Sequence, residues 1–152
     1  MLRKERPRIL TPVNGTPASK HAFQWSCQYA RRTHSELLAM YVFEIPMEYS
    51  VESHEGSNYL QEGEEILRQI EKIADAERCR VSAGMIAARN AGPAIVLEAI
   101  TRKVNLLVLG ATYRKASAAV AVGSTTDFVL KNAHCQVVLS REPAPTNTAQ
   151  QD

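Results

Sequence analysis

Residues 105–126 read NLLVLGATYRKASAAVAVGSTT, and this stretch predicts most about the fold of the chain. The apolar run 106–109 is typical of a buried strand, which is predicted to end at Gly110. Small residues then lead to Gly123 and Ser124, where a helix is predicted to begin. Free backbone N–H groups and hydroxyls at a helix N-terminus attract anions, so the stretch predicts a phosphate-binding loop.

Strand and helix patterns alternate along the whole chain. Strands are predicted at 8–13, 36–43, 81–87, 105–109 and 136–140, and helices at 17–32, 59–78, from 92 onward and at 124–133. Thr16 and Pro17 suit the N-cap and first position of the first helix. The alternation predicts an α/β fold with an open five-stranded parallel sheet, helices on both faces and strand order 3-2-1-4-5. Ligands bind such sheets where the order reverses, here between the first and fourth strands.

Two finer expectations concern the helices. The apolar residues of the third helix are expected to face inward, among them Leu97 and Ile100. Ser124 and Asp127 have capping-box spacing, which predicts that Ser124 caps the fourth helix. Residues 46–58 show no periodicity and are predicted to form a mobile loop.

The composition predicts one soluble domain. The 152 residues are 45% hydrophobic and 22% charged, with a net charge of +2. This charge is too small to indicate nucleic-acid binding, and no apolar run is long enough to insert into a membrane, so the chain is expected to be cytoplasmic. Three cysteines without a C-x-x-C pair are expected to be buried and reduced, and the scattered histidines predict no metal site. A domain over 8–141 is expected between a basic tail, 1–7, and a disordered tail, 142–152.

Three segments resemble the universal stress protein family. Residues 9–16, ILTPVNGT, are similar to its first strand and turn, and residues 92–95, GPAI, to the start of its third helix. Residues 110–124 followed by 128–138, FVLKNAHCQVV, resemble its C-terminal signature. The resemblance covers about residues 7–141 and implies a Rossmann-like fold of the adenine nucleotide alpha hydrolase type.

The same resemblance implies a ligand. Many family members bind ATP through the pattern Gly-x2-Gly-x9-Gly-Ser/Thr, which Gly110, Gly123 and Ser124 match here. Tyr113 replaces the second glycine, and Asn14 replaces the acid of the first turn. The resemblance implies a regulatory protein of the stress response that binds ATP or AMP, and Mg²⁺ is expected to accompany ATP. No catalytic motif is present, so any ATP hydrolysis is expected to be slow and incidental. The alternative is a nucleotide-free, dimeric interaction protein of the same family.

The candidate ligand contacts each have a second interpretation. Gly110 either is needed for the geometry of the loop or lets the nucleotide approach the backbone. Gly123 and Ser124 either begin the helix or form an anion site. Asn14 either forms a turn or binds adenosine. Thr112 and the Arg114–Lys115 pair contact phosphate or face solvent. The full set of candidates is Pro12, Val13, Asn14, Thr16, Val42, Leu109, Gly110, Thr112, Tyr113, Arg114, Gly123, Ser124, Thr125 and Thr126.

Tyr113 and the fifth strand carry two further expectations. Tyrosine suits a positive φ poorly, so Tyr113→Gly is expected to tighten ATP binding by relieving strain, unless the ring stacks on or shields the ligand. The fifth strand, 136–140, has no charge or proline inside it. An uncovered apolar edge invites pairing, and the resemblance implies a homodimer through this strand, beside an unidentified protein partner.

Overall fold

The computed structural model of the chain describes residues 4–49, 57–113 and 123–146. Strands and helices alternate throughout. In chain order they are β1 (Arg8–Val13), α1 (Pro17–Thr33), β2 (Glu36–Glu44), α2 (Ser57–Ala76), β3 (Val81–Ala88), α3 (Ala91–Thr101), β4 (Leu106–Ala111), α4 (Ser124–Asn132) and β5 (Gln136–Arg141). The predicted alternation is confirmed, and β2 and β5 each extend one residue beyond the predicted end.

All neighbouring strands of the sheet are parallel, in the order β3-β2-β1-β4-β5. The predicted α/β fold and strand order are therefore confirmed. β1 pairs with β2 along its whole length, but with β4 only at Ile9–Leu106 and Leu10–Leu107. Beyond these pairs β1 and β4 diverge, and Pro12 has no N–H with which to continue the pairing. A gap therefore opens at the carboxyl ends of the two central strands.

Helices cover both faces of the sheet and bury two separate cores. One core packs α1 and α2 on the sheet around Phe23 and Ile70. The other packs α3 and α4 around Ile95 and Val129. The strands between them are buried on both faces, as Leu107 and Val108 show with no exposed surface, which is typical of a parallel sheet.

A buried hydroxyl pair fixes α1 on β1. The Oγ atoms of Thr11 and Ser26 lie 2.7 Å apart, and both residues are fully buried. Ser26 donates its hydrogen to the carbonyl of Ala22 at 2.9 Å, so Thr11 is the donor to Ser26. Each polar group thus has a partner, and the pair costs little to bury.

The caps of α1 and α4 differ from one another. Thr16 caps α1 as predicted, since its Oγ1 accepts the N–H of Ser19 at 3.2 Å. The capping box predicted for α4 is wrong, because Gly123 occupies the N-cap and Ser124 is the first helical residue. Asp127 instead accepts from Lys131 Nζ at 2.9 Å.

The inward-facing set predicted for α3 is partly wrong. Ile95 and Ala99 are buried, but Leu97 is 64% exposed and Ile100 is 46% exposed. Leu97 lies two residues from both buried positions, which places it on the opposite side of a helix of 3.6 residues per turn. The buried side of α3 is therefore narrower than its composition suggests.

The three cysteines are free thiols. Cys27 is fully buried, whereas Cys79 and Cys135 are half-buried. Burial raises the pKa of all three thiols, which keeps them protonated at neutral pH. Within the described ranges, no helix combines the length and the apolar character needed to cross a bilayer.

Several predictions about the loops and tails concern residues outside the described ranges. Residues 50–56 of the predicted mobile loop, residues 1–3 of the basic tail and residues 147–152 of the C-terminal tail all lie outside the described ranges. The basic pair Arg114–Lys115 also lies outside the described residues.

Candidate functional site

A cavity of about 890 Å³ opens at the carboxyl edge of the sheet, where β1 and β4 diverge. Every candidate residue predicted from the sequence and described by the structure lines this cavity; Arg114 is the candidate outside the described part. These lining residues are Pro12, Val13, Asn14, Thr16, Val42, Leu109, Gly110, Thr112, Tyr113, Gly123, Ser124, Thr125 and Thr126. The strand order places them together, because both central strands end at this edge.

The turn after β1 is a closed hydrogen-bonded unit. Asn14 Oδ1 accepts from Thr16 N at 3.1 Å and from Thr16 Oγ1 at 2.7 Å. The N–H of Asn14 donates to Ser19 Oγ at 3.3 Å, and Ser19 Oγ donates to the carbonyl of Thr16 at 3.1 Å. Gly15 between them has a φ of +81°, which a residue with a side chain rarely adopts. The side-chain oxygen of Asn14 therefore stabilises the turn, and its side-chain nitrogen, Nδ2, is the donor that it can offer to a ligand.

Gly110 is required by packing against α1. A Cβ at Gly110 would lie 2.6 Å from the carbonyl oxygen of Ala18 and 2.9 Å from the nitrogen of Ser19. Both are backbone atoms at the start of α1 and cannot yield as a flexible side chain does. The structure thus favours the structural interpretation of Gly110 over nucleotide approach.

The N-terminus of α4 opens into the cavity without a side-chain cap. Gly123 offers no capping oxygen, and a Cβ placed on it would meet none of the described residues within 4 Å. Asp127 N donates to the carbonyl of Gly123 at 2.9 Å, which begins the helical ladder. The N–H groups of the first turn precede this bond and have no acceptor within the helix, so they suit an anion. Thr125 and Thr126 in the same turn also line the cavity.

Tyr113 lines the cavity and does not have a positive φ. Among the described residues, the non-glycine residues with positive φ are His34, Arg78 and Lys103, so Tyr113 does not have the φ expected from the motif. The Tyr113 N–H donates to Glu142 Oε1 at 3.1 Å, and its ring lies 5.1 Å from the guanidinium carbon of Arg141. The expectation that Tyr113→Gly relieves strain is therefore wrong.

The sequence-based prediction missed the two charged residues of the wall, Glu44 and Arg141. Each is the last residue of its strand, one position beyond the predicted end. Their place at the carboxyl ends of strands was the available signal. Glu44 Oε1 accepts the N–H of Ala91 at 3.0 Å, so its carboxylate lies at the N-terminus of α3.

Two other properties bear on the chemistry of the site. Tyr41 contributes to the wall, and its burial, with the Glu62 charge and Tyr59 nearby, raises its phenol pKa. The phenol is therefore neutral at physiological pH. In the described part of the chain, no three His, Cys, Asp or Glu residues are grouped so that they could hold a metal ion.

Comparison with known proteins identifies the family. A model described as the universal stress protein family matches residues 5–141. The chain belongs to the universal stress protein family. The resemblance seen in the three sequence segments is thereby confirmed over nearly the whole domain.

This universal stress protein is similar to proteins from several organisms. A universal stress protein of Methanocaldococcus jannaschii is 28% identical over 142 residues, which cover 90% of this chain and 82% of the relative. The structure of the Archaeoglobus fulgidus universal stress protein in complex with dAMP has a TM-score of 0.69 at 14% identity, covering 89% of this chain and 97% of that one. A family protein from Arabidopsis thaliana, solved with AMP bound, has a TM-score of 0.66 at 17% identity, covering 93% and 97%. These two structures share the fold described above.

Proposed function

We propose that this universal stress protein binds an adenine nucleotide, AMP or ATP, in the cavity between the ends of β1 and β4. The observation that carries the proposal is the uncapped N-terminus of α4, which faces the gap at the point where the strand order reverses. The A. fulgidus and A. thaliana proteins, whose structures hold dAMP and AMP, support an adenine nucleotide. We further propose a regulatory role in the stress response, in the cytoplasm.

Different residues of the cavity suit the base, the nucleoside and the phosphate of a nucleotide. Val13 and Val42, at the ends of β1 and β2, offer apolar surface to the base. The side-chain nitrogen of Asn14, Nδ2, donates a hydrogen bond to the nucleoside. The phosphate lies at the N-terminus of α4, where backbone N–H groups and the helix dipole favour negative charge. With ATP, Mg²⁺ would be held mainly by the phosphates, as it usually is when a site lacks several carboxylates.

We propose a binding module rather than an enzyme. Hydrolysis needs a base or a carboxylate that orients the attacking water. Glu44 is the carboxylate of the described cavity wall, and it already accepts the N–H of Ala91. Slow hydrolysis of bound ATP would be incidental to regulation.

Isothermal titration and thermal unfolding of the native protein test the proposal. AMP or ATP with Mg²⁺ is expected to bind one site per chain and to stabilise the fold by about 2.7 kcal/mol at a hundredfold excess over Kd. Nucleotide that co-purifies is released on denaturation and identified by its mass. No heat, no thermal shift and no released nucleotide at millimolar ligand would contradict the proposal and leave a nucleotide-free dimer as the alternative.

We also propose that the protein forms a homodimer through β5. This strand is at the edge of the sheet, and residues 136–140 contain neither a charge nor a proline. Natural edges usually carry such residues to prevent pairing. A two-fold axis at this edge would pair β5 with its copy and cover Leu139, which is 38% exposed.

Leu139→Lys is expected to shift the dimer to monomer, because it places a charge from each copy in the shared interface between the edge strands. Val138 is a poorer choice, since its side chain packs against the core formed with α1 and α2. Leu97→Lys is the matched control, since it makes the same change at an exposed position of α3. Light scattering at tens of micromolar measures the mass. A native monomer, or a dimer unchanged by Leu139→Lys, would contradict β5 pairing.

A further inference from the structure

Arg141 and Tyr113 form a stacked pair on the rim of the cavity. The guanidinium carbon of Arg141 lies 5.1 Å from the centre of the Tyr113 ring, within cation–π range. Both residues line the cavity. The backbone of Tyr113 is held at this position, because its N–H donates to Glu142 Oε1 at 3.1 Å. The ring lies against the guanidinium and restricts where that group can lie.

The two charged side chains of the described cavity wall have opposite signs and lie at opposite ends of the cavity. Glu44 lies at the end of β2 and Arg141 at the end of β5. Three strand spacings separate β2 from β5 in the sheet, and because β1 and β4 diverge at this edge the separation is at least about 14 Å. The acidic end suits a neutral nucleoside and repels phosphate. The other end carries Arg141 and shares the cavity with the first residues of α4, and the Glu142 carboxylate near it already accepts the N–H of Tyr113, so this end suits phosphate.

Stacking leaves the edge of the guanidinium available. A guanidinium carries five N–H donors in a plane, and stacking on a ring uses its face rather than those donors. The edge can then donate two parallel hydrogen bonds to a phosphate, a stronger contact than a neutral hydrogen bond. Arg141 therefore combines a restricted position with donors that the stack does not use.

We infer that Arg141, positioned by the ring of Tyr113, binds the phosphate of the nucleotide, and that Tyr113 replaces the motif glycine in order to hold this arginine. The inference rests on the proposed nucleotide function and specifies how the phosphate is recognised. Tyr113 is a positioning residue, since it acts through Arg141. The contact between Arg141, at the end of β5, and the phosphate makes the site bind a nucleotide more tightly than a nucleoside.

The test compares the Kd of AMP with that of adenosine, measured by isothermal titration on the full chain. Arg141→Gln is expected to weaken AMP about tenfold while adenosine changes less than about twofold. Arg68→Gln is the matched control, because Arg68 pairs with Glu65 on exposed α2 and does not line the cavity. It removes the same charge and is expected to leave both Kd values unchanged.

Substitutions of Tyr113 test the positioning role. Tyr113→Phe keeps the platform and should keep the AMP affinity, whereas Tyr113→Ala and Tyr113→Gly should weaken AMP severalfold and leave adenosine unchanged. Equal losses for AMP and adenosine, or no loss in Arg141→Gln, would overturn the inference while native binding upheld the proposed function. Tighter AMP binding in Tyr113→Gly would show that the ring obstructs the site and would also overturn it. If the native protein binds neither ligand, the proposed function fails and the inference with it.

Discussion

Gly110→Ala is expected to lower the free energy of unfolding by about 2–3 kcal/mol. The added Cβ would lie 2.6 Å from the carbonyl oxygen of Ala18, well inside van der Waals contact. Relief requires β4 and the start of α1 to move apart, which loosens packing around the buried residues nearby. Urea denaturation followed by circular dichroism measures the change as a lower midpoint.

Gly84→Ala is the matched control for this prediction. A Cβ at Gly84 would meet nothing within 4 Å, and its φ is not positive. Alanine there restricts the unfolded chain without a clash, so the free energy of unfolding should be unchanged or rise by up to about 1 kcal/mol. If Gly110→Ala were as stable as the native protein, Gly110 would not be a packing residue, and its role in ligand approach would be favoured again.

Gly123→Leu is expected to abolish nucleotide binding while the fold survives. A Cβ at Gly123 would meet none of the described residues within 4 Å, and its φ of −58° is accessible to any residue, so the backbone there tolerates a side chain. The leucine side chain would cover the N–H groups at the start of α4 and keep the phosphate from them. We expect AMP affinity to fall at least about a hundredfold, which corresponds to about 2.7 kcal/mol.

Circular dichroism and titration separate the two parts of that prediction. Gly123→Ala serves as the control, because alanine also adds a Cβ but has neither a capping oxygen nor a branch that would cover the N–H groups of the helix end. An unchanged spectrum with unchanged affinity in Gly123→Leu would show that this glycine serves the helix start alone. An altered spectrum would place Gly123 among the residues that the fold requires.

The fold and the position of the cavity could be predicted because both depend on local patterns. Strand and helix periods alternate clearly, and the right-handed connection of parallel strands restricts the sheet order. The turn after β1 and the start of α4 are recognisable from Thr16, Pro17 and Gly123. Once the order is known, these segments must meet at the carboxyl edge.

Contacts between distant segments could not be predicted. The close approach of Gly110 to Ala18 depends on the angle at which α1 crosses β4, and no local pattern reports it. Glu44 and Arg141 were missed because strand ends are uncertain by one residue. The stack of Arg141 on Tyr113 joins β5 to the end of β4, so the motif comparison alone made Tyr113 an obstruction.

An NMR titration of the native protein with AMP tests the central claim most directly, since amide shifts report both binding and its location. The predicted result is a saturable set of shifts at the first turn, the end of β4 and the start of α4, that is, at residues 14–16, 109–113 and 123–126. Shifts confined to other surfaces, or none at millimolar AMP, would contradict the assignment of this cavity as a nucleotide site.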